Sequence, residues 1–288
     1  MPISRFYRLS KIGLALSGGG ARGLAHIGVL KVLKREGIPI HCLAGTSAGG
    51  IIAAGYAAGL TVEELEQEAL RMSRLRNLVT LVDAARPRIG LFAGQRVQEY
   101  FSSKIGYKDF AELTIPLALV AVDLQSGEEV ILDSGSVIEA LRATISLPGV
   151  FQPCEIAGRL LVDGGLLNNL PADVPRKMGA DVVIAVDVSA GMDDLASFME
   201  EARQSYLLPQ VHLTVEMLTR CLGIMMDHIR HQKLASSPPD VLIRPEIDRG
   251  IGLFTGFTRA AECIAAGEKA ANDALPEIRE LLKPRLRF

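Results

Sequence analysis

Short apolar runs rich in β-branched residues alternate along the chain with longer stretches of mixed apolar and polar positions. Six of these runs are predicted as strands, at 11–17, 40–45, 115–124, 159–165, 181–189 and 240–246. Because the runs are apolar throughout, they are typical of strands that are covered on both faces. The pattern predicts an α/β protein of three layers, α/β/α, around a mainly parallel central sheet.

The stretches between the runs carry helical signals. Apolar residues recur at helical spacing over 24–33 and Gly37 follows as a stop, so the first two strands and this helix form a βαβ unit. A second helix is predicted to run up to Gly59. Thr61 and Glu64 have the spacing of a capping box, which predicts the start of a third helix.

Two further elements are predicted from local signals. The segment 123–132 turns at Ser126-Gly127 and is interpreted as a hairpin, which adds an antiparallel strand beside the parallel ones. Small and apolar residues over 257–275 predict a last helix that packs back on the sheet.

Residues 190–238 form the longest interruption of the strand–helix alternation. Apolar residues recur there every three or four positions, at Val211, Val215, Leu218, Leu222, Met225 and Ile229. This spacing predicts an amphipathic helix, and ordinary core packing is its favoured interpretation. A lid, a dimer seam and a surface that rests on lipid stay open as alternatives. Without repeats or linkers elsewhere, residues 1–288 are predicted to form one domain with this helical insertion.

The composition excludes several classes of function. The chain has 288 residues, 49% of them hydrophobic, and a formal net charge of -2. Without a basic stripe, nucleic-acid binding is not expected. The four cysteines (Cys42, Cys154, Cys221 and Cys263) lie far apart, so neither a disulfide framework nor a zinc site is predicted.

The segments that commonly direct a protein to a membrane are not recognised. Residues 1–11 lack an apolar run of signal-peptide length, and the apolar stretch 48–60 is shorter than the ~20 residues that span a bilayer. A cytoplasmic location is expected, with any membrane contact peripheral.

The stretch "LSGGGARG" at 16–23 contains G-x-G-x-x-G at Gly18, Gly20 and Gly23, which raises the alternative of a dinucleotide site. A Rossmann loop also needs an acid at the end of the second strand, and the strand 40–45 has none. A P-loop needs a Gly-Lys-Ser/Thr ending, which is missing here. Nucleotide binding is therefore disfavoured.

The stretch "GTSAG" at 45–49 is a G-x-S-x-G motif between a short apolar strand and an Ala/Gly-rich helix. This context is that of a nucleophile elbow, so Ser47 is the candidate nucleophile. An attacked carbonyl needs N–H donors about 3 Å from its developing oxyanion. The glycine loop at 18–20 follows the adjacent strand and opens onto a helix, so it is interpreted as an oxyanion hole.

A serine nucleophile needs a base, and the chain has five histidines. His41 precedes the elbow within its strand, and His26, in the helix after the glycine loop, is favoured as a packing or hydrogen-bonding residue. The other three, His212, His228 and His231, lie in the insertion. Asp163 is better placed, because it ends a predicted strand and two glycines follow it.

Three motifs together resemble the patatin-like phospholipases: "GGGARG" at 18–23, "GTSAG" at 45–49 and "DGGLLNNLP" at 163–171. The resemblance extends to "ATISLPGVFQP" at 143–153 and "IAVDVS" at 184–189, and thus covers most of the chain. That family uses a Ser–Asp dyad without histidine.

The resemblance implies Ser47 as the nucleophile, Asp163 as the base, and Gly18, Gly19 and Gly20 as oxyanion donors. It leaves two roles for Arg22, which either orients the loop or meets a phosphate. A patatin-like fold is implied, and no metal or organic cofactor. A carboxyl with a pKa near ~4 is a weak base for an alcohol, so this dyad requires a dry, closely aligned site.

The resulting expectation is a serine hydrolase that acts on a lipid or other acyl ester. An acyltransferase with the same acyl-enzyme and a regulatory or partner-binding module on the same fold are the alternatives, and a homodimer stays open. The apolar stretches 89–94 and 146–151 either line an acyl pocket or fill the core, and core is favoured.

Overall fold

The six apolar runs predicted as strands all lie in one sheet of the computed structural model, which describes residues 10–74, 77, 80, 83, 92–189, 209–251 and 255–283. The strands are β1 (Ile12–Leu16), β2 (Cys42–Thr46), β3 (Leu117–Asp123), β4 (Glu129–Leu132), β5 (Cys154–Ile156), β6 (Arg159–Asp163), β7 (Val182–Val186) and β8 (Val241–Ile243). The sheet has the order β5-β6-β3-β2-β1-β7-β8, and β4 also pairs with β3.

The sheet is mainly parallel, as predicted. Strands β3, β2, β1, β7 and β8 pair in parallel, whereas β4 and β6 pair antiparallel with β3, and β5 pairs antiparallel with β6. Every residue of β1, β2, β3 and β7 is buried, which agrees with strands that are covered on both faces. The predicted α/β class and three-layer arrangement are confirmed.

The helices are α1 (Ala25–Arg35), α2 (Ser47–Ala57), α3 (Val62–Met72), α4 (Gln95–Ile105), α5 (Val137–Thr144), α6 (Gly165–Asn168), α7 (Asp173–Lys177), α8 (Pro209–Ser236) and α9 (Ala260–Leu281). The predicted capping box is present at the start of α3, where Thr61 and Glu64 satisfy each other's backbone N–H groups. The predicted hairpin joins β3 to β4, with Gly127 at a φ of +71° in its turn.

The structure contains β5, which the sequence analysis did not predict. It has three residues and is only partly buried, so it leaves no apolar run in the sequence. Its hairpin to β6 turns at Ala157 and Gly158, both with positive φ.

The insertion contains the predicted helix, α8, but the expectation of core packing is wrong for part of its apolar stripe. Leu222 is 40% exposed and Met225 is 58% exposed. The helix instead turns Met226 toward Gly165, and its Arg230 forms an ion pair with Asp187. Spacing predicts a helix and its stripe but not the direction in which the stripe points.

Several predicted features lie outside the described residues: the N-terminal segment 1–9, residues 89–91 of the apolar stretch 89–94, residues 190–208 of the insertion, and the side chains of Val211, Val215 and Leu218 in its predicted stripe. The division of the chain into one domain stays a prediction. Within the described ranges, no helix has both the length and the apolar character needed to cross a bilayer.

The C-terminal helix α9 packs against α1 at very short range. A Cβ on Gly28 of α1 would clash with the carbonyl oxygen of Ile264, and a Cβ on Gly267 of α9 would clash with that of Ala25. The two glycines therefore let the two helix backbones approach each other directly.

We expect Gly267→Ala to lower the free energy of unfolding by about 1–3 kcal/mol, because the added methyl overpacks this crossing. Alanine is intrinsically the better helix former by about 1 kcal/mol, so helix propensity alone would raise the free energy of unfolding. A decrease therefore shows that the packing clash outweighs propensity. Denaturant unfolding measures the effect. The control Ala265→Gly, at an exposed position of α9, should show the propensity loss alone. An unchanged or increased stability of Gly267→Ala would contradict the close crossing.

Candidate active site

Ser47 lies at the sharp turn between β2 and α2. Its φ of +51° is in the left-handed region, where residues other than glycine are uncommon. A Cβ on Gly49 would clash with the carbonyl oxygens of Leu16 and Ser17, and one on Gly45 would lie 2.6 Å from the Gly50 Cα. The G-x-S-x-G motif thus has the strand–turn–helix context of an elbow, and its serine is partly exposed.

Asp163 lies at the end of β6, and β3 brings it to Ser47. In the sheet register Thr46 is opposite Val120 and Asp163 is opposite Ala121, so two consecutive residues of β3 set both positions. A Cβ on Gly164 would clash with the Val120 carbonyl oxygen. The glycine after Asp163 therefore lets this turn pass directly over β3.

The carboxyl group of Asp163 is almost completely buried, with 3% of the residue exposed. Burial raises its pKa to about 6, because the charged form loses its hydration. The Gly165 N–H, which donates to Oδ1 at 2.8 Å, and the Ser47 side chain both act in the opposite direction and lower this pKa. The net result is a carboxylate that is more basic than an ordinary aspartate.

Two threonine hydroxyls fix the elbow to its surroundings. Thr144 accepts a hydrogen bond from the Ser47 N–H at 3.0 Å and donates to the Val120 carbonyl at 2.6 Å. Thr46 donates to the Asn168 carbonyl at 2.8 Å and so joins the elbow to the loop after Asp163. The sequence analysis missed both, although Thr144 belongs to the stretch 143–153 that carried part of the resemblance.

The glycine loop lies beside the nucleophile. A Cβ on Gly18 would lie 3.2 Å from the Ser47 Cβ and would clash with the Asn169 Oδ1, so glycine favours this close packing. The Gly18 N–H donates to the Asn169 carbonyl at 3.0 Å, and Gly18 is buried. Gly19 and Gly20 are partly exposed, and their N–H groups donate to no other described residue. Two of the three predicted donors are therefore open to a ligand, while the third has a protein partner.

Asn169 joins the Asp163 loop to the glycine loop. Besides accepting from Gly18 through its carbonyl, it donates from Nδ2 to the Gly18 carbonyl at 3.4 Å and to the Ser189 hydroxyl at 2.8 Å. The motif "DGGLLNNLP" contains this residue, but its role depends on contacts that the motif alone does not reveal.

Arg22 is buried, with 6% of the residue exposed. Its Nε donates to the Val188 carbonyl at 3.1 Å, which connects the turn after the glycine loop to the chain that follows β7. Of its two candidate roles, this geometry favours orienting the loop.

The described histidine side chains have other partners. His26 contacts the Ser17 carbonyl, His41 accepts from the Ile12 N–H, and His228 and His231 bond within α8. In the described part of the chain, no hydrogen bond connects a histidine to Ser47 or Asp163. Across the described part of the chain, no group of three or more His, Cys, Asp or Glu side chains could hold a metal ion.

Helix α8 flanks the Asp163 loop. The Met226 Cε would lie 3.0 Å from a Cβ on Gly165. Arg230 pairs with Asp187 after β7, and Lys233 pairs with Glu129 of β4. Two ion pairs thus attach this helix on either side of the loop.

A family model and curated relatives both show which family the chain is similar to. Residues 14–176 match the family model described as Patatin-like phospholipase. An NTE family protein of Mycobacterium bovis is 36% identical over 179 residues, which cover 62% of this chain and 49% of that protein. Patatin-like phospholipase domain-containing protein 6 of Homo sapiens is 35% identical over 216 residues, or 71% of this chain and 16% of that protein. The chain thus matches about half, or less, of the length of these relatives.

Among solved structures, that of VipD from Legionella pneumophila has a TM-score of 0.41 at 11% identity. The match covers 92% of this chain and 68% of that chain.

The raised pKa of Asp163 predicts that this residue lowers stability at neutral pH. An unfolded aspartate has a pKa near ~3.9, so the folded protein holds this proton more tightly than the unfolded chain. The associated stability is fully present below pH ~4 and is lost as the pH rises through about 6. Asp163→Asn has no carboxyl to titrate and does not lose this stability. The difference in unfolding free energy between Asp163→Asn and wild type should therefore rise in favour of the variant by up to about 3 kcal/mol between pH ~4 and pH ~8.

Denaturant unfolding of both proteins across this pH range measures the gain. A difference between Asp163→Asn and wild type that does not change with pH would contradict a buried carboxyl with a raised pKa.

Proposed function

The chain belongs to the patatin-like phospholipase family, and on this premise we propose that it is a lipid-acyl hydrolase with Ser47 as nucleophile and Asp163 as base. The observation that carries the proposal is the register of β3, which brings the strained elbow serine next to a buried carboxyl with a pKa raised to about 6. A base with this pKa is largely ionised at neutral pH and still accepts a proton more readily than an ordinary aspartate.

In the first half-reaction the Ser47 Oγ attacks the acyl carbonyl carbon while its proton passes to the Asp163 carboxylate. The carbonyl oxygen becomes an oxyanion that accepts hydrogen bonds from the N–H groups of Gly19 and Gly20. When the tetrahedral intermediate collapses, the C–O bond to the leaving group breaks and the alcohol departs with the proton from Asp163. The acyl group stays on Ser47 as an ester.

In the second half-reaction a water molecule attacks the acyl-serine and Asp163 accepts its proton. The fatty acid leaves and the proton returns to the Ser47 oxygen, so the enzyme is regenerated. Gly18 has a different part in this proposal: its N–H is held by Asn169, and its missing side chain lets the loop approach Ser47.

The substrate class follows from family membership and from the chemistry of the site. Relatives carry phospholipase in their names, and the Ser47 site suits a carboxylic ester. We propose esters of apolar acyl chains as substrates, including phospholipids and lysophospholipids, which implies peripheral contact with a lipid surface. No cofactor takes part in these steps.

We expect Ser47→Ala and Asp163→Asn each to lower kcat/KM for a p-nitrophenyl acyl ester and for a lysophospholipid by at least about 100-fold, because each removes an essential group. The matched control is Asp123→Asn, since Asp123 is a buried aspartate at the end of the neighbouring β3. It should retain activity near that of wild type. Hydrolysis that survives in Ser47→Ala would contradict the proposal.

The pH profile tests the base separately. Asp163 must be ionised to accept a proton, so kcat/KM should fall about tenfold per pH unit as the pH drops below about 6. Initial rates with a substrate that does not titrate in this range measure the midpoint. A midpoint near pH ~4, or an acidic limb that persists unchanged in the residual activity of Asp163→Asn, would exclude Asp163 as the base.

A further inference from the structure

His26 is a fully buried polar side chain that the proposed chemistry does not use. It is the second residue of α1, is 0% exposed, and has its Nε2 2.9 Å from the Ser17 carbonyl oxygen. A carbonyl oxygen only accepts hydrogen bonds, so Nε2 carries the proton. The other ring nitrogen, Nδ1, is buried and has no hydrogen-bond partner in the described part of the chain.

This environment keeps the imidazole neutral. Burial lowers the pKa of His26 to about 4, although the Ser17 hydrogen bond and the negative charge of Asp187 both act to raise it. Across the range in which Asp163 titrates, His26 is therefore a neutral donor with a single available tautomer.

The carbonyl that His26 contacts belongs to the peptide at which the glycine loop leaves β1. The Ser17 N–H donates to the Val186 carbonyl at 3.1 Å, and its hydroxyl accepts from the Val188 N–H at 2.8 Å. These two bonds fix Ser17 itself against the chain at the end of β7.

The peptide unit between Ser17 and Gly18 is held at both of its polar atoms. Its oxygen accepts from His26, and its N–H donates to the Asn169 carbonyl at 3.0 Å. Because a peptide unit is planar, fixing these two atoms fixes its orientation. Gly19 and Gly20 follow this peptide directly, so its orientation sets the direction from which the chain enters the loop, and the φ and ψ of Gly18 and Gly19 then determine where the two N–H groups point.

We propose that His26 is a positioning residue that keeps the Ser17–Gly18 peptide in the orientation that aims the Gly19 and Gly20 N–H groups at the oxyanion. The inference rests on the proposed function, in which those two groups bind the developing charge. Donors that are already oriented need no rearrangement during the reaction, so losing their orientation slows the chemical step more than it weakens binding of the uncharged ester.

His26→Leu removes the donor from a buried site of similar volume, and His26→Gln returns an N–H near the place of Nε2. We expect kcat for His26→Leu to fall by about 10- to 100-fold while KM stays within about twofold, since misplacement by ~1 Å has effects of this size. His26→Gln should recover most of the loss. The acidic limb of the kcat/KM profile, whose midpoint near pH 6 is assigned to Asp163, should not move in either variant.

The matched control is His41→Leu. The side chain of His41 likewise makes a hydrogen bond to a backbone atom, in which its Nδ1 accepts from the Ile12 N–H at 2.9 Å, but Ile12 lies at the end of β1 away from the loop. Its kcat should stay near that of wild type. His26→Asn, whose shorter amide does not reach the Ser17 oxygen, replaces His26→Leu in the comparison with His26→Gln should the leucine variant not fold.

The outcomes are distinct. Wild-type kcat in the variants that lack the donor, or an equal loss in His26→Gln and those variants, would overturn the inference while Ser47→Ala remains inactive and the proposed function stands. Activity that persists in Ser47→Ala would overturn both. A lost acidic limb in folded His26→Gln would assign His26 to proton transfer instead of positioning.

Discussion

The pairing of β3 with its neighbours is the constraint on which the site depends. Residues Val120 and Ala121 lie opposite the strand positions that lead into Ser47 and end at Asp163. The Val120 carbonyl also accepts from Thr144, whose hydroxyl oxygen receives the Ser47 N–H. Backbone hydrogen bonds of a buried sheet therefore set the distance between Ser47 and Asp163, and flexible side chains contribute little to it.

The site combines groups that are individually unfavourable. Ser47 has a backbone conformation that is costly for a residue with a Cβ, and Asp163 holds a carboxyl where water is excluded. Hydrogen bonds from the surrounding backbone and the close packing that glycines 45, 49 and 164 allow offset part of these costs. The same burial that destabilises the ionised carboxyl makes it a better base, so stability and basicity are opposed at one residue.

The sequence analysis indicated the residues of the candidate site that follow a strand end and missed those that depend on distant contacts. Ser47 and Asp163 were indicated because G-x-S-x-G and D-G-G each follow an apolar run. Thr144 and Asn169 act on residues 97 and 151 positions away in the chain, and no local pattern encodes such contacts. Likewise, the stripe of α8 predicted a helix, but the outward direction of Met225 depends on how Arg230 and Lys233 attach that helix.

The central claim is that a carboxylate activates Ser47 without a histidine partner. Intact-mass measurement after treatment with a fluorophosphonate, followed by sequencing of the modified peptide, tests most directly whether Ser47 is an activated nucleophile. The account predicts one adduct on wild type, located at Ser47, and none on Ser47→Ala. An adduct on a different residue, or no adduct on folded protein that hydrolyses esters, would contradict it.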